Sequence, residues 1–177
     1  MTEEVKITES GMTFVLPKEK LFYIEPYAQQ NDFKLKTVEF VWWENNEMRF
    51  IEAKSSAPNA KSENPEKENA LSEYISAVSE KWLNSIHIAA SKFLGVLPGE
   101  SNNLKNWGNI RLKLYLVLGT NANGQNFRKE WLPDLQNAFN MNGNLKSWRK
   151  VWSPKDANWI KVVNEEMARK IGILPAR

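Results

Sequence analysis

The chain has 177 residues, a formal net charge of +3, one histidine and no cysteine. That length suits one domain with a substantial core, and 42% hydrophobic against 25% charged residues argues against disorder throughout. The missing cysteines exclude disulfide scaffolds, Cys-ligated zinc, iron–sulfur clusters and thiol nucleophiles, and the single histidine excludes a His-rich metal site. The opening Met1-Thr2-Glu3-Glu4 is acidic, unlike a signal peptide. No run approaches the ~18 apolar residues of a membrane span, so a cytoplasmic protein without a membrane partner is expected.

In chain order, Leu21 to Gln29 reads as a short helix interrupted at Pro26. Val38 to Trp43 is rich in branched and aromatic residues and predicts a strand; Asn45-Asn46 reads as a turn and Met48 to Lys54 as a second strand. Ser55 to Asn69 is polar, holds Pro58 and Pro65, and reads as an exposed loop. Leu71, Tyr74, Ile75, Val78, Trp82, Ile86 and Phe93 recur at helical spacing and predict a long amphipathic helix over 71–94, closed by Pro98-Gly99. Asn102-Asn103 and Asn140 to Asn144 mark turns. Ile110 to Leu118 is the clearest strand. Trp131 to Phe139 predicts a helix beginning near Pro133, and Trp159 to Val163 a short strand. Asn164 then caps a last helix, Glu165 to Ile171, with acidic residues in its first turn and Gly172 after its end. This order predicts an α/β fold: a mixed central sheet flanked by helices on both faces.

Charge divides along the chain. Residues 1–100 carry 11 basic and 16 acidic side chains, net −5, whereas residues 101–177 carry 13 and 5, net +8. The basic part suggests an anionic partner, nucleic acid being the usual one; a solvated surface with chance clustering is the other reading. Within it, Lys146, Arg149, Lys150 and Lys155 interleave with Trp148 and Trp152. Such a strip can bind phosphates and stack bases. The tryptophans can equally pack on the sheet while the lysines reach solvent, or form a contact patch for a protein partner.

The chemistry concentrates on the two predicted strands. Folded about Asn45-Asn46, opposed residues have numbers summing to 91. Trp43 then faces Met48, Val41 faces Phe50, and Glu39 faces Glu52, with Lys54 on the same face as Glu52. Directly opposed carboxylates repel across a sheet, and in an apolar setting they need a shared proton or a cation. A hard divalent cation such as Mg²⁺ (or Mn²⁺) suits oxygen ligands and phosphate substrates. An adjacent lysine would add electrostatic stabilisation, the pattern of metal-assisted phosphodiester hydrolysis. The plain alternative is a Glu52–Lys54 ion pair at a sheet edge with Glu39 solvated.

Val38-Glu39 followed by Phe50-Ile51-Glu52-Ala53-Lys54-Ser55-Ser56 resembles the core motif of the PD-(D/E)xK nuclease superfamily, whose core runs helix, three strands, helix, strand. The resemblance covers about residues 20–120, leaving 121–177 as a basic C-terminal extension of a single domain, 1–177. It implies a restriction-endonuclease-like core cleaving DNA with Mg²⁺ or Mn²⁺, Glu39 and Glu52 as metal ligands and Lys54 as the catalytic lysine. It also implies a helix glutamate, for which Glu25 is the best match and Glu9 and Glu19 are alternatives. The usual Pro-Asp is Val-Glu here, and the Gln-x-x-x-Tyr signature of some branches is absent, Ala70 preceding Tyr74 at that spacing. Cutting both strands would favour a homodimer. The alternatives are an inactive nucleic-acid-binding descendant or an interaction subunit of a larger complex.

Two other features carry less. His87 reads as a helix-surface or packed imidazole, with no catalytic partner nearby in sequence. Gly119 to Gly124 follows a strand but lacks the Gly-Lys-Ser/Thr ending of a phosphate loop, and reads as a strand exit.

Overall fold

The computed structural model describes residues 3–61, 64–98, 110–120 and 127–176. Its centre is a five-stranded mixed sheet of β3 (Leu21–Phe22), β4 (Phe40–Glu44), β5 (Glu47–Lys54), β6 (Arg111–Leu118) and β7 (Ile160–Asn164), in that spatial order. The first three strands are antiparallel, and β5, β6 and β7 are mutually parallel. Asn45 and Asn46 both adopt positive φ, +50° and +61°, so the β4–β5 connection is the two-residue turn that matches strand twist. Trp43 accordingly pairs with Met48 and Val41 with Phe50, the register expected from the sequence.

Alternation along the strands sorts the core into two layers. Val41, Met48, Phe50, Leu112, Leu114, Leu116, Ile160 and Val162 face one way. They meet α1 (Ile24–Gln30), α2 (Pro65–Phe93), α3 (Leu132–Met141) and α4 (Gly143–Trp152) through Ile24, Trp82, Leu135, Phe139 and Leu145. Phe40, Trp42, Ile51, Ala53, Tyr115, Val117 and Val163 face the other way. That second face is covered chiefly by a hairpin, β1 (Glu4–Glu9) with β2 (Met12–Pro17), and by the short α5 (Glu165–Lys170) with Ile173 and Leu174. Helices therefore lie on both faces, as expected, but the second is mainly a β layer. β7 is a strand of the central sheet, so the basic C-terminal region is built into the fold.

Several elements differ from the sequence-based expectation, each for a local reason. The hairpin over residues 4–17 was not expected from the sequence; its Ile7, Met12, Phe14 and Leu16 alternate inward, and Ser10-Gly11, both at positive φ, make its turn. Leu21–Phe22 is a strand rather than helix, and Pro26 lies in the first turn of α1, where a missing N–H costs no bond, so the helix is not interrupted. α2 begins at Pro65, six residues before the apolar periodicity, because the Asn64 side chain accepts from the Glu66 N–H and Pro65 takes the first position. α4 begins where the asparagines predict only a turn; Asn142 caps it by accepting from the Leu145 N–H. The C-terminal expectation matches closely: Asn164 accepts from the Met167 N–H and begins α5. Asn102-Asn103 and residues 121–124 of the strand-exit loop lie outside the described residues.

Candidate functional site

The end of the β4–β5 ladder positions the site. The regular pairing stops at Phe40 and Ile51, and Glu39 sits in a bend just before β4, its N–H donating to the Ile51 carbonyl at 3.1 Å. Glu39 is thus next to Glu52 without being its ladder partner. Alternation on β5 turns Glu52 and Lys54 to the face covered by α2, where Glu52 is fully buried and Glu39 nearly so.

Lys54 Nζ lies 2.8 Å from Glu52 Oε1. A second lysine reaches the same oxygen: Lys81 of α2 places Nζ 2.8 Å from Glu52 Oε1 and 3.7 Å from Glu39 Oε1. One ammonium therefore bridges the two carboxylates that the sequence singled out. Glu52 Oε2 is buried and, among the described residues, has no hydrogen-bond partner.

Further carboxylates close round Glu39. Glu9, at the tip of the β1–β2 hairpin, Glu25, in the first turn of α1, and Glu39 each offer an oxygen, and the three lie within 4.8 Å of one another. The hairpin tip is fastened here: Ser10 Oγ donates to the Ala53 carbonyl at 3.0 Å, and Gly119 packs so closely that a Cβ would stand 2.9 Å from the Ser10 carbonyl oxygen. Of the three candidates for the helix glutamate, Glu25 and Glu9 are both in this cluster, while Glu19 lies in the short turn before β3 and is not part of it.

The electrostatics follow from crowding like charges in a part-dry space. Burial first, then the charge of Glu52, raise the Glu39 carboxyl from the usual 4.5 to about 8, against the pull of Lys81. Burial and Glu25 raise Glu9, which Tyr23 partly offsets with a hydrogen bond. Burial pulls Lys81 down, but Glu52, by charge and hydrogen bond, and Glu39 outweigh it, so this ammonium is held charged. Desolvation first, then the Glu52 charge, raise the half-buried Tyr74 well above its usual value, and its hydroxyl donates to the Ser56 carbonyl at 3.3 Å.

Four carboxyl groups gather against two ammoniums, a donor set of hard oxygens. This fits a hard divalent cation better than a soft metal. Sequence reasoning missed Lys81. Its signal was positional: it lies three residues after Val78 and four before Ser85, both buried, at the rim of the buried stripe of α2.

The basic residues form a separate feature. Lys146, Arg149 and Lys150 line one cavity of about 370 Å³ with Asn140 and Trp159. Lys155 lines a neighbouring one of about 530 Å³ with Arg111, Lys113 and Lys161. Both lie toward the other end of the parallel strands: Ile160 pairs with Leu114, two residues before Leu116, the partner of Glu52. Trp148 and Trp152 are half-buried against the core, Trp82 is fully buried, and Trp42 is buried as well. His87 is exposed, its ring 6.0 Å from that of Trp148. Among the described residues no helix is long and apolar enough to cross a membrane. No family model, curated protein or solved structure matches this chain.

Proposed function

We propose that the protein is a metal-dependent nuclease of the PD-(D/E)xK kind, hydrolysing phosphodiester bonds in DNA with Mg²⁺ or Mn²⁺. The observation that carries this reading is the convergence of Glu39, Glu52 and Lys54, with Glu25 from the preceding helix, at one end of a strand pair. These are the residues expected from the motif, and they arrive from three elements. The succession α1, β4, β5, α2, β6 parallels the core order of that superfamily, with one departure: the third antiparallel strand, β3, precedes α1 instead of following it.

In this reading Glu39 and Glu52 would hold the cation, and Glu25 would add a ligand or orient one. A bound divalent cation would supply an acidic water and screen the phosphoryl oxygens. Lys54, about one-third exposed, stands between buried Glu52 and solvent, where its ammonium can meet an attacking water and the charge developing on phosphate. The burial that raises Glu39 also strengthens each of these charge interactions. Lys146, Arg149, Lys150 and Lys155 hold the nucleic-acid backbone farther along the same molecule.

The test is cleavage of single- and double-stranded DNA by the purified chain with Mg²⁺ or Mn²⁺, alongside Glu52→Gln and Lys54→Met. Each substitution is expected to lower the rate by roughly 10²–10³-fold or more, as when one transition-state donor is lost, while DNA affinity stays within a few-fold. Absence of cleavage of any DNA or RNA by the unaltered chain with either metal overturns the enzyme reading. DNA binding retained in that case would identify a nucleic-acid-binding protein built on the same site.

A further inference from the structure

A lysine that contacts both members of a carboxylate pair occupies the space a cation would take. Lys81 Nζ makes this contact, 2.8 Å from Glu52 Oε1 and 3.7 Å from Glu39 Oε1. It approaches from α2, opposite in sequence and element to the strand-borne Lys54, and it shares with Lys54 the same carboxylate oxygen. The sharing is uneven: two ammoniums crowd Oε1 of Glu52 while Oε2 is buried with no partner among the described residues. Two like charges on one oxygen beside an unpartnered one is a costly distribution, and a divalent cation bridging Glu39 and Glu52 would relieve it by replacing one ammonium.

We propose that Lys81 is a built-in counter-ion of the Glu39–Glu52 pair, which a divalent cation displaces on binding, so that the site is closed by its own lysine until metal enters. This rests on the metal reading above and adds a residue to it. The side chain has the means to move: it is 20% exposed at the rim of the helix, on a flexible four-carbon stem, whereas Glu52 is fully buried and fixed on the sheet. Once displaced, the ammonium is repelled by the incoming cation and drawn outward, toward the side from which an anionic phosphate backbone must approach. Lys54 keeps its contact and its proposed catalytic part. Lys81 is in this sense a positioning residue that sets metal affinity, not a second catalytic lysine.

A lysine that merely supports the fold would, on removal, weaken the site; a lysine that occupies it would, on removal, strengthen metal binding. Mn²⁺ affinity should be measured by titration calorimetry, without nucleic acid, for the full chain, Lys81→Met, Lys81→Gln and Lys81→Arg. The two neutral variants are expected to bind Mn²⁺ roughly tenfold more tightly or better, the scale on which groups behind a ligand set tune affinity, and Lys81→Arg to stay near the unaltered chain. Circular dichroism identifies which variants are folded. A measurement on the unaltered chain needs no variant: in ¹⁵N-lysine NMR, the Lys81 ammonium signal is expected to shift on Mg²⁺ addition, more than that of Lys54. Equal or weaker affinity in folded neutral variants, or a Lys81 signal that stays while that of Lys54 moves, overturns the displacement and leaves the metal site standing. No Mn²⁺ binding by the unaltered chain or any variant overturns the metal site itself, and this proposal with it.

Discussion

Glu39 has a folded-state pKa of about 8 against the usual 4.5, because burial and the Glu52 charge favour its neutral form. Between those values the folded chain keeps a proton that the unfolded chain has released, so metal-free stability should fall as pH rises from about 4.5 to about 8. Thermal melts in chelator across that range should show the decline, and Glu39→Gln, neutral at every pH, should flatten it; an unchanged slope would show that Glu39 does not cause it. Two other acids act with the opposite sign. Glu165 is held low: burial opposes ionisation, but hydrogen bonds from Thr120 and Arg169 prevail. Asp156 is held low in the same way by Lys113 and the Asn158 N–H. Their stabilisation is present above the ordinary carboxylate range and lost as pH falls through their lowered values, so stability should decline on the acid side for these groups.

Glu9 reaches the site only because of how one element docks. The β1–β2 hairpin tip rests on Gly119 at the end of β6, and a Cβ there would meet a backbone oxygen of Ser10 at 2.9 Å and Met12 Cε at 3.1 Å. The methionine end can yield, but the carbonyl cannot move without the tip. Gly119→Ala should therefore cost about 1–3 kcal/mol by urea denaturation and, by moving Glu9, weaken Mn²⁺ binding. Full stability and affinity would mean that the tip is not a rigid part of the site. At the far end of β7, Asn164 caps α5 through the Met167 N–H. Asn164→Ala should lose about 1 kcal/mol, as for other such caps, with little effect on metal affinity.

Across the whole molecule, acidic and basic functions occupy different places. The carboxylates sit at the C-terminal end of β5, while Lys146, Arg149 and Lys150 ring a cavity beside the start of β7. In the sheet Glu52 and Ile160, which lines that cavity, lie two residues and two strands apart, roughly 12 Å from the usual strand spacings. That is about the rise of three to four base pairs, so one bound duplex could engage both. Changing Lys146, Arg149 and Lys150 together to alanine should lower the slope of log affinity against log salt by about 2–3, near 0.9 per lost phosphate contact. The cleavage rate at saturating DNA should change little, since none of the three touches the carboxylates. An unaltered slope would remove the phosphate role from this face.

The β4–β5 hairpin, its register and the closeness of Glu39, Glu52 and Lys54 followed from the sequence because each is set locally: alternation assigns the faces and Asn45-Asn46 sets the turn. The Asn164 cap was visible for the same reason. The N-terminal hairpin is equally local in its signal, with alternating apolar residues about Ser10-Gly11, but its many polar neighbours mask that alternation. What the chain order alone could not supply was the meeting of distant parts. Lys81 lies 29 residues from Glu52, and Glu9 lies 30 from Glu39; neither spacing has a period that links them. Those contacts exist because α2 crosses over one face of the sheet and the hairpin covers the other. Packing of apolar layers decides that, and it leaves the charged groups at the rim to find one another.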